Sequence, residues 1–139
     1  MPPDDKETST MVRSDGTYAS LPLKKDTISI TIAQTRVNGV DGKNPAKDIK
    51  NNLDYMLECI DIAQGYGGRS DLICFHEFPI VGFSNWSREE HYRIAIEVPG
   101  PETEEIGKKC QDYGCYVVFG TYAKDPDWPD HILHVMVLM

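Results

Sequence analysis

The segment DLICFHEFPIVGF, residues 71–83, joins a run of apolar residues to two polar ones and then to a turn. Residues 72–75 are all apolar, which is typical of a strand that is covered on both faces in an α/β sheet. His76 and Glu77 follow directly, and a proline and a glycine then redirect the chain. Because open α/β sheets bind their ligands beyond the carboxyl ends of the strands, we expect Glu77 to lie at a functional site.

The apolar residues around Glu77 suggest a chemical role for its carboxylate. We expect the side chain to be largely buried, and partial desolvation makes a carboxylate a stronger base. Such a group can serve as a general base in catalysis. The residues alone also allow a simpler role, in which an exposed Glu at a strand end binds a backbone N–H. His76 could orient Glu77 or bind a metal, but the sequence offers it no partner at ligand spacing, which favours a structural role.

Strand and helix patterns alternate on both sides of this segment. TISITIA, residues 27–33, alternates Ile with Thr and Ser and predicts a strand. Apolar residues at helical spacing then predict a helix with Asn44 as its N-cap and Pro45 in its first position. This helix is expected to end near Gln64, just before a glycine-rich stretch. Residues 84–101 are expected to contain a short helix.

The second half of the chain continues the alternation. Pro101 predicts the start of a second long helix, and Gly114 predicts its end. Residues 115–122 predict a third strand, residues 125–131 a turn-rich loop and residues 132–139 a fourth strand. Strands that alternate with helices in this way predict the α/β class.

The two ends of the chain suggest how the domain is bounded. Residues 1–25 are polar and predict a tail or an ordered arm, so the domain is expected to span residues 26–139. The last strand has no turn or polar segment after it. We therefore expect this chain to be the front part of a longer domain.

Composition limits the classes of partner. The chain has 139 residues, a net charge of −8 and a pI of about 4.9. Its basic residues form no cluster beyond a pair, so nucleic acid and anionic membranes are not expected as partners. No segment approaches the ~18 apolar residues that would span a membrane. The cysteines form no CxxC motif, which gives a zinc site no support, and we expect a reducing, cytoplasmic location.

Two longer segments resemble a known family. GGRSDLICFHEFPIVGF, residues 67–83, resembles the first catalytic motif of the nitrilase superfamily, the carbon–nitrogen hydrolases. In that family a Glu follows such an apolar run and precedes a turn with aromatic residues and Gly. VPGPETEEIGKKCQDYGCYVVFGTY, residues 98–122, is similar to the next segment of the family, a Pro-Gly-Pro entry, a helix and a strand that ends in Gly. The resemblance covers roughly residues 26–139.

The resemblance implies an α/β fold that forms the N-terminal part of a four-layer αββα sandwich (nitrilase-like), in a protein that forms a homo-oligomer. It also implies hydrolysis of an amide, N-carbamoyl or nitrile substrate by a Glu, a Lys and a Cys, with no cofactor and no metal. Glu77 matches the Glu as the catalytic residue of this chain, whereas the Lys and the Cys are expected beyond Met139. Phe83 and Trp86 are candidate substrate-binding residues, although core packing is their simpler role.

Three alternatives stay open. Cys74 could be the nucleophile, because ICFHEFP also resembles the family's nucleophile motif, but its place inside the apolar run favours core packing. The chain could instead be an inactive, naturally short relative that acts in binding or assembly. An unrelated flavodoxin-like module has little support, because no Gly-rich phosphate loop follows the first strand.

Overall fold

A computed structural model describes residues 15–16, 25–66 and 68–139. The predicted polar arm over residues 1–25 lies almost entirely outside the described residues, and its boundary with the domain stays a prediction. The helices and strands run in the order β1 (Ile30–Ala33), α1 (Ala46–Gly65), β2 (Leu72–Phe75), α2 (Arg88–Ile94), β3 (Ile96–Glu97), α3 (Pro101–Tyr113), β4 (Tyr116–Asp125) and β5 (Trp128–Leu138).

The strands form one mixed sheet. β1, β2, β4 and β3 are parallel neighbours in that order, and β5 pairs antiparallel with β4. Helix α1 connects β1 to β2, as expected of a parallel α/β unit. The predicted α/β class is therefore confirmed. The predicted loop over residues 125–131 is wrong, because β4 and β5 form a hairpin in which Asp125 is already paired with Trp128.

The helix boundaries follow local chemistry with one exception. Helix α3 begins with Pro101 and ends at Gly114, which has a φ of 62°, a conformation that favours glycine. Helix α1 begins one residue later than predicted. Pro45 takes the cap position there, and its carbonyl accepts a hydrogen bond from the Ile49 N–H at 2.9 Å. Asn44 is therefore not the N-cap.

The helices cover one face of the sheet. Ile73 on β2 and Val117 and Phe119 on β4 are fully buried, in one core with Met56 and Ile60 of α1. Each alternate strand residue points to the opposite face of the sheet. This arrangement leaves the second face without a helix in the part of the chain that the structure describes.

The second sheet face is apolar and exposed. Ile32, Cys74, Val118 and Leu138 lie side by side on four neighbouring strands. Ile32 is 72% exposed and Leu138 is 64% exposed, while Cys74 and Val118 are half-buried. The expectation that β2 is covered on both faces is thus wrong for the described residues. We call the exposed apolar residues of this surface the open face: Ile30, Ile32, Tyr116, Met136 and Leu138.

Candidate active site

Glu77 lies two residues beyond the end of β2, where the chain enters a turn. Its side chain borders a cleft of about 600 Å³ at the carboxyl ends of β1 and β2. This is the edge of a parallel sheet at which α/β folds bind their ligands. The cleft is lined by residues that follow these two strands, namely Gln34, Thr35, Val37, His76, Glu77, Phe78 and Phe83.

The carboxylate of Glu77 is more exposed than its sequence context predicts. The side chain is 57% exposed, so the expectation that Glu77 is largely buried is wrong. Its apolar neighbours in the sequence, Phe75, Phe78 and Ile80, are buried in the core and do not enclose it. Glu77 nevertheless faces a cleft, where a substrate could reach it.

Among the residues that the structure describes, His134 forms an ion-pair contact with the Glu77 carboxylate. Its Nε2 atom lies 2.9 Å from Oε1 of Glu77. His134 lies on β5 directly opposite Tyr122 of β4. Its ring stacks on Phe78 with a centroid distance of 5.3 Å and contacts Tyr122 at 5.4 Å. This contact could not be predicted from the sequence, because it depends on the register of the β4–β5 hairpin.

His76 forms hydrogen bonds with Phe78 and Thr35 that hold the turn carrying Glu77, and we call this pair of hydrogen bonds the His76 brace. Its Nδ1 atom accepts a hydrogen bond from the Phe78 N–H at 3.2 Å, so the proton of the neutral ring is on Nε2. Nε2 then donates to Oγ1 of Thr35, 2.9 Å away. Burial lowers the pKa of His76 and favours this neutral form. His76 therefore ties the Glu77 turn to the segment after β1, as its predicted structural role requires.

Strand β4 supports the same turn from the other side. The Gly120 N–H donates a hydrogen bond to the carbonyl of His76 at 3.3 Å. Gly120 faces the backbone of Glu77 so closely that no Cβ atom fits between them. The position of Glu77 is thus fixed by β2, by the His76 brace and by β4.

The structure separates the two predicted substrate-binding residues. Phe83 lines the cleft, is 65% exposed and stacks on Phe78 at 5.6 Å. Trp86 does not line the cleft. It packs against the core, and its Nε1–H donates to the carbonyl of Val40 at 3.1 Å.

The cysteines lie away from the cleft lining. Cys74 is half-buried on the second sheet face and lies outside the helix-covered core, so its predicted core packing is not seen in the described residues. Burial raises the pKa of Cys110 to about 11, which disfavours its thiolate, and Cys115 is also buried.

Among the described residues, no group of three or more His, Cys, Asp and Glu side chains could hold a metal ion. None of the described helices is both long enough and apolar enough to cross a membrane.

Comparison with known proteins identifies the family. Residues 29–138 match the family model described as carbon-nitrogen hydrolase. The chain belongs to this family. Formamidases from two strains of Bacillus cereus are 32% identical to it over 83 residues, which is 58% of this chain and 24% of each relative. The chain thus spans about a quarter of the length of these curated relatives.

A solved structure supports the fold. The chain superimposes on the crystal structure of an N-terminal amidase with a Gln-Gly peptide, with a TM-score of 0.62 and 16% sequence identity. The match covers 80% of this chain and 24% of the amidase chain. At this identity the likeness concerns the fold alone, and it agrees with the nitrilase-like α/β architecture implied by the sequence.

Proposed function

We propose that the complete protein hydrolyses a non-peptide C–N bond in a small amide, with Glu77 as the general base. N-carbamoyl compounds and nitriles are the other substrate classes of the same chemistry. One combination of observations carries this proposal. The chain belongs to the carbon–nitrogen hydrolases, and the Glu of its matching motif faces a cleft at the carboxyl edge of the sheet.

The proposed reaction follows from resemblance to the family. Glu77 takes the proton of a Cys thiol, and the thiolate attacks the carbonyl carbon of the amide. Glu77 passes this proton to the amine, which leaves. Glu77 then takes a proton from water, which hydrolyses the acyl-enzyme and restores the thiol. Splitting one difficult step into two is the usual advantage of covalent catalysis. A Lys stabilises the oxyanion, as preorganised positive charge does. The Cys and the Lys would come from the complete protein, since this chain spans about a quarter of the length of its formamidase relatives, and the proposal involves no cofactor or metal.

The cleft favours small substrates with both polar and apolar groups. Gln34 and Thr35 offer polar atoms beside Glu77, while Val37 and Phe83 offer apolar surface. Phe83 is the substrate-binding residue that the geometry supports. The formamidase relatives make short aliphatic amides the first compounds to test.

A kinetic comparison on the complete protein tests the proposal. Wild type, Glu77→Gln and Glu58→Gln are assayed on short amides, N-carbamoyl compounds and nitriles. Glu58 is an exposed residue of α1 and serves as the matched control. Glu77→Gln should lower kcat/KM by ~10²–10⁴-fold, the usual contribution of general base catalysis, while Glu58→Gln keeps the wild-type value. Wild-type activity in Glu77→Gln would refute the role of Glu77.

The open face favours self-association as a second part of the proposal. Contiguous exposed apolar surface is typical of protein interfaces, and the open face spans both edges of the sheet, from β1 to β5. In a four-layer sandwich the other half of the domain covers this face, so the open face favours self-association of the 139-residue chain by itself. That the complete protein forms a homo-oligomer, in a reducing, cytoplasmic environment that suits its free cysteines, is proposed from the family resemblance. The same surface is what an inactive assembly module would use. Absence of hydrolysis by the complete wild-type protein would favour that alternative.

A further inference from the structure

We infer that His134 is a positioning residue for Glu77. This inference rests on the proposed function, because it concerns the same general base. The Nε2 atom of His134 lies 2.9 Å from Oε1 of Glu77, and among the described residues no other cationic or imidazole group forms an ion pair with this carboxylate. His134 comes from β5, which is far from Glu77 in the sequence, so the contact is a property of the tertiary fold.

The contact bears on which ring nitrogen of His134 faces the carboxylate. A carboxylate oxygen only accepts, and two lone pairs that face each other at this distance would repel. A proton on Nε2, in the neutral ring or in the imidazolium, is the arrangement that avoids this repulsion. In both forms the ring presents positive charge density to Oε1.

The imidazole itself is held in place by aromatic rings. It lies nearly parallel to the ring of Phe78, at an interplanar angle of 15°, and it also contacts Tyr122. Phe78 is buried in the core and directly follows Glu77 in the chain. Glu77 and the His134 ring are thus both anchored next to the buried Phe78, Glu77 through the chain and His134 through ring stacking.

A stabilising role does not account for this arrangement. The side chains of His134 and Glu77 are 49% and 57% exposed, and ion pairs this exposed contribute little to stability. Orientation matters far more at a reacting group, since a displacement of about 1 Å can cost ~10²-fold in rate. The value of the His134 contact therefore lies in the orientation of the base.

Kinetics of the complete protein test the inference. His134→Leu removes the Nε2 donor and should lower kcat by ~10–10²-fold on an amide that the wild type hydrolyses, with KM changed by less than about threefold. His134→Gln places an amide N–H near the position of Nε2 and should recover most of the loss. His131→Leu is the matched control, because His131 lies on the same strand and stacks on Trp128, away from Glu77.

The outcomes separate the inference from the proposed function. Wild-type kcat in His134→Leu, with an active wild type, overturns the inference alone. Lack of hydrolysis by the wild type overturns the proposed function. If His134→Leu does not fold, as judged by circular dichroism, His134→Val replaces it, because valine suits a strand.

A second measurement is independent of activity. In NMR spectra, the His134 ring resonances should move in Glu77→Gln and stay unchanged in Glu58→Gln. Ring resonances that do not respond to Glu77→Gln would show that the contact is not formed in solution, and would overturn the inference.

Discussion

The backbone of Glu77 lies directly against Gly120. A Cβ atom at position 120 would lie 2.5 Å from the carbonyl oxygen of Glu77 and 2.8 Å from its Cα atom. Both contacts are with backbone, which cannot move aside as the end of a flexible side chain can. Glycine at position 120 therefore sets how closely β4 approaches the turn that carries the proposed base.

Gly120→Ala should consequently displace Glu77. We expect the free energy of unfolding to fall by about 1–3 kcal/mol, the usual cost of overpacking, and kcat/KM of the complete protein to fall by at least ~10-fold. Gly65→Ala is the matched control, because nothing lies within 4 Å of a Cβ there and alanine suits a helix better than glycine. Urea denaturation and amide hydrolysis measure the two effects. Equal behaviour of the two variants would contradict the prediction.

The His76 brace should make stability depend on pH. Burial lowers the pKa of His76 in the folded state, whereas the unfolded chain has the ordinary value of about 6.5. Between these two values the unfolded state binds more protons, so the free energy of unfolding falls as the pH drops. The stabilisation is complete above the ordinary value and is lost as the pH falls through the folded value. Protonation of Nδ1 would also remove the acceptor of the Phe78 N–H.

This pH dependence can be measured with a substitution. Urea midpoints of the wild type should decrease from pH 7.5 to pH 5, and His76→Gln should show a smaller decrease over the same interval. His131→Gln is the control, because His131 is exposed and lies outside the brace. A slope in His76→Gln as steep as in the wild type would assign the pH dependence to another group.

Asn52 should stabilise the folded protein, because its side chain holds the turn that follows Glu77. Its side chain is 3% exposed, and its Nδ2 donates hydrogen bonds to the carbonyls of Ile80 at 2.9 Å and Asn38 at 3.4 Å. Asn52→Ala leaves buried acceptors unpaired and should lower the free energy of unfolding by about 1–3 kcal/mol. Asn51→Ala on the exposed side of the same helix should change it by less than about 0.5 kcal/mol. Thermal melts of the two variants should differ clearly.

The sequence predicts the elements of this fold better than the contacts between them. Helix α3 has a proline at its start and a glycine at its end, and these signals are local, so its bounds could be predicted. The strand that ends before Glu77 could also be predicted, from its run of apolar residues. The start of β5 could not be predicted, because Pro129 and Asp130 suggest a loop and only pairing with β4 makes this segment a strand.

In the candidate site, too, the sequence predicts individual residues better than the contacts between them. Glu77 follows from its motif, and Phe83 follows from its place in the turn. The contact of Glu77 with His134 requires the register of an antiparallel hairpin, which no local pattern specifies. The exposure of Glu77 could not be predicted either, because the direction in which Phe78 and Ile80 pack is set by the helix-covered core.

The open face should cause the 139-residue chain to self-associate. Ile32 and Leu138 are among its most exposed residues, and burial of a large aliphatic side chain contributes roughly 1.5–3 kcal/mol. Ile32→Thr combined with Leu138→Thr should therefore weaken association by more than about tenfold. Ile62→Thr is the matched control, because Ile62 is 50% exposed but lies on α1, outside the open face. Light scattering with size-exclusion chromatography should show oligomers for the wild type and Ile62→Thr, and a shift toward the 15.7 kDa monomer for the double variant. A wild-type chain that stays monomeric across the micromolar range would show that the open face does not drive assembly.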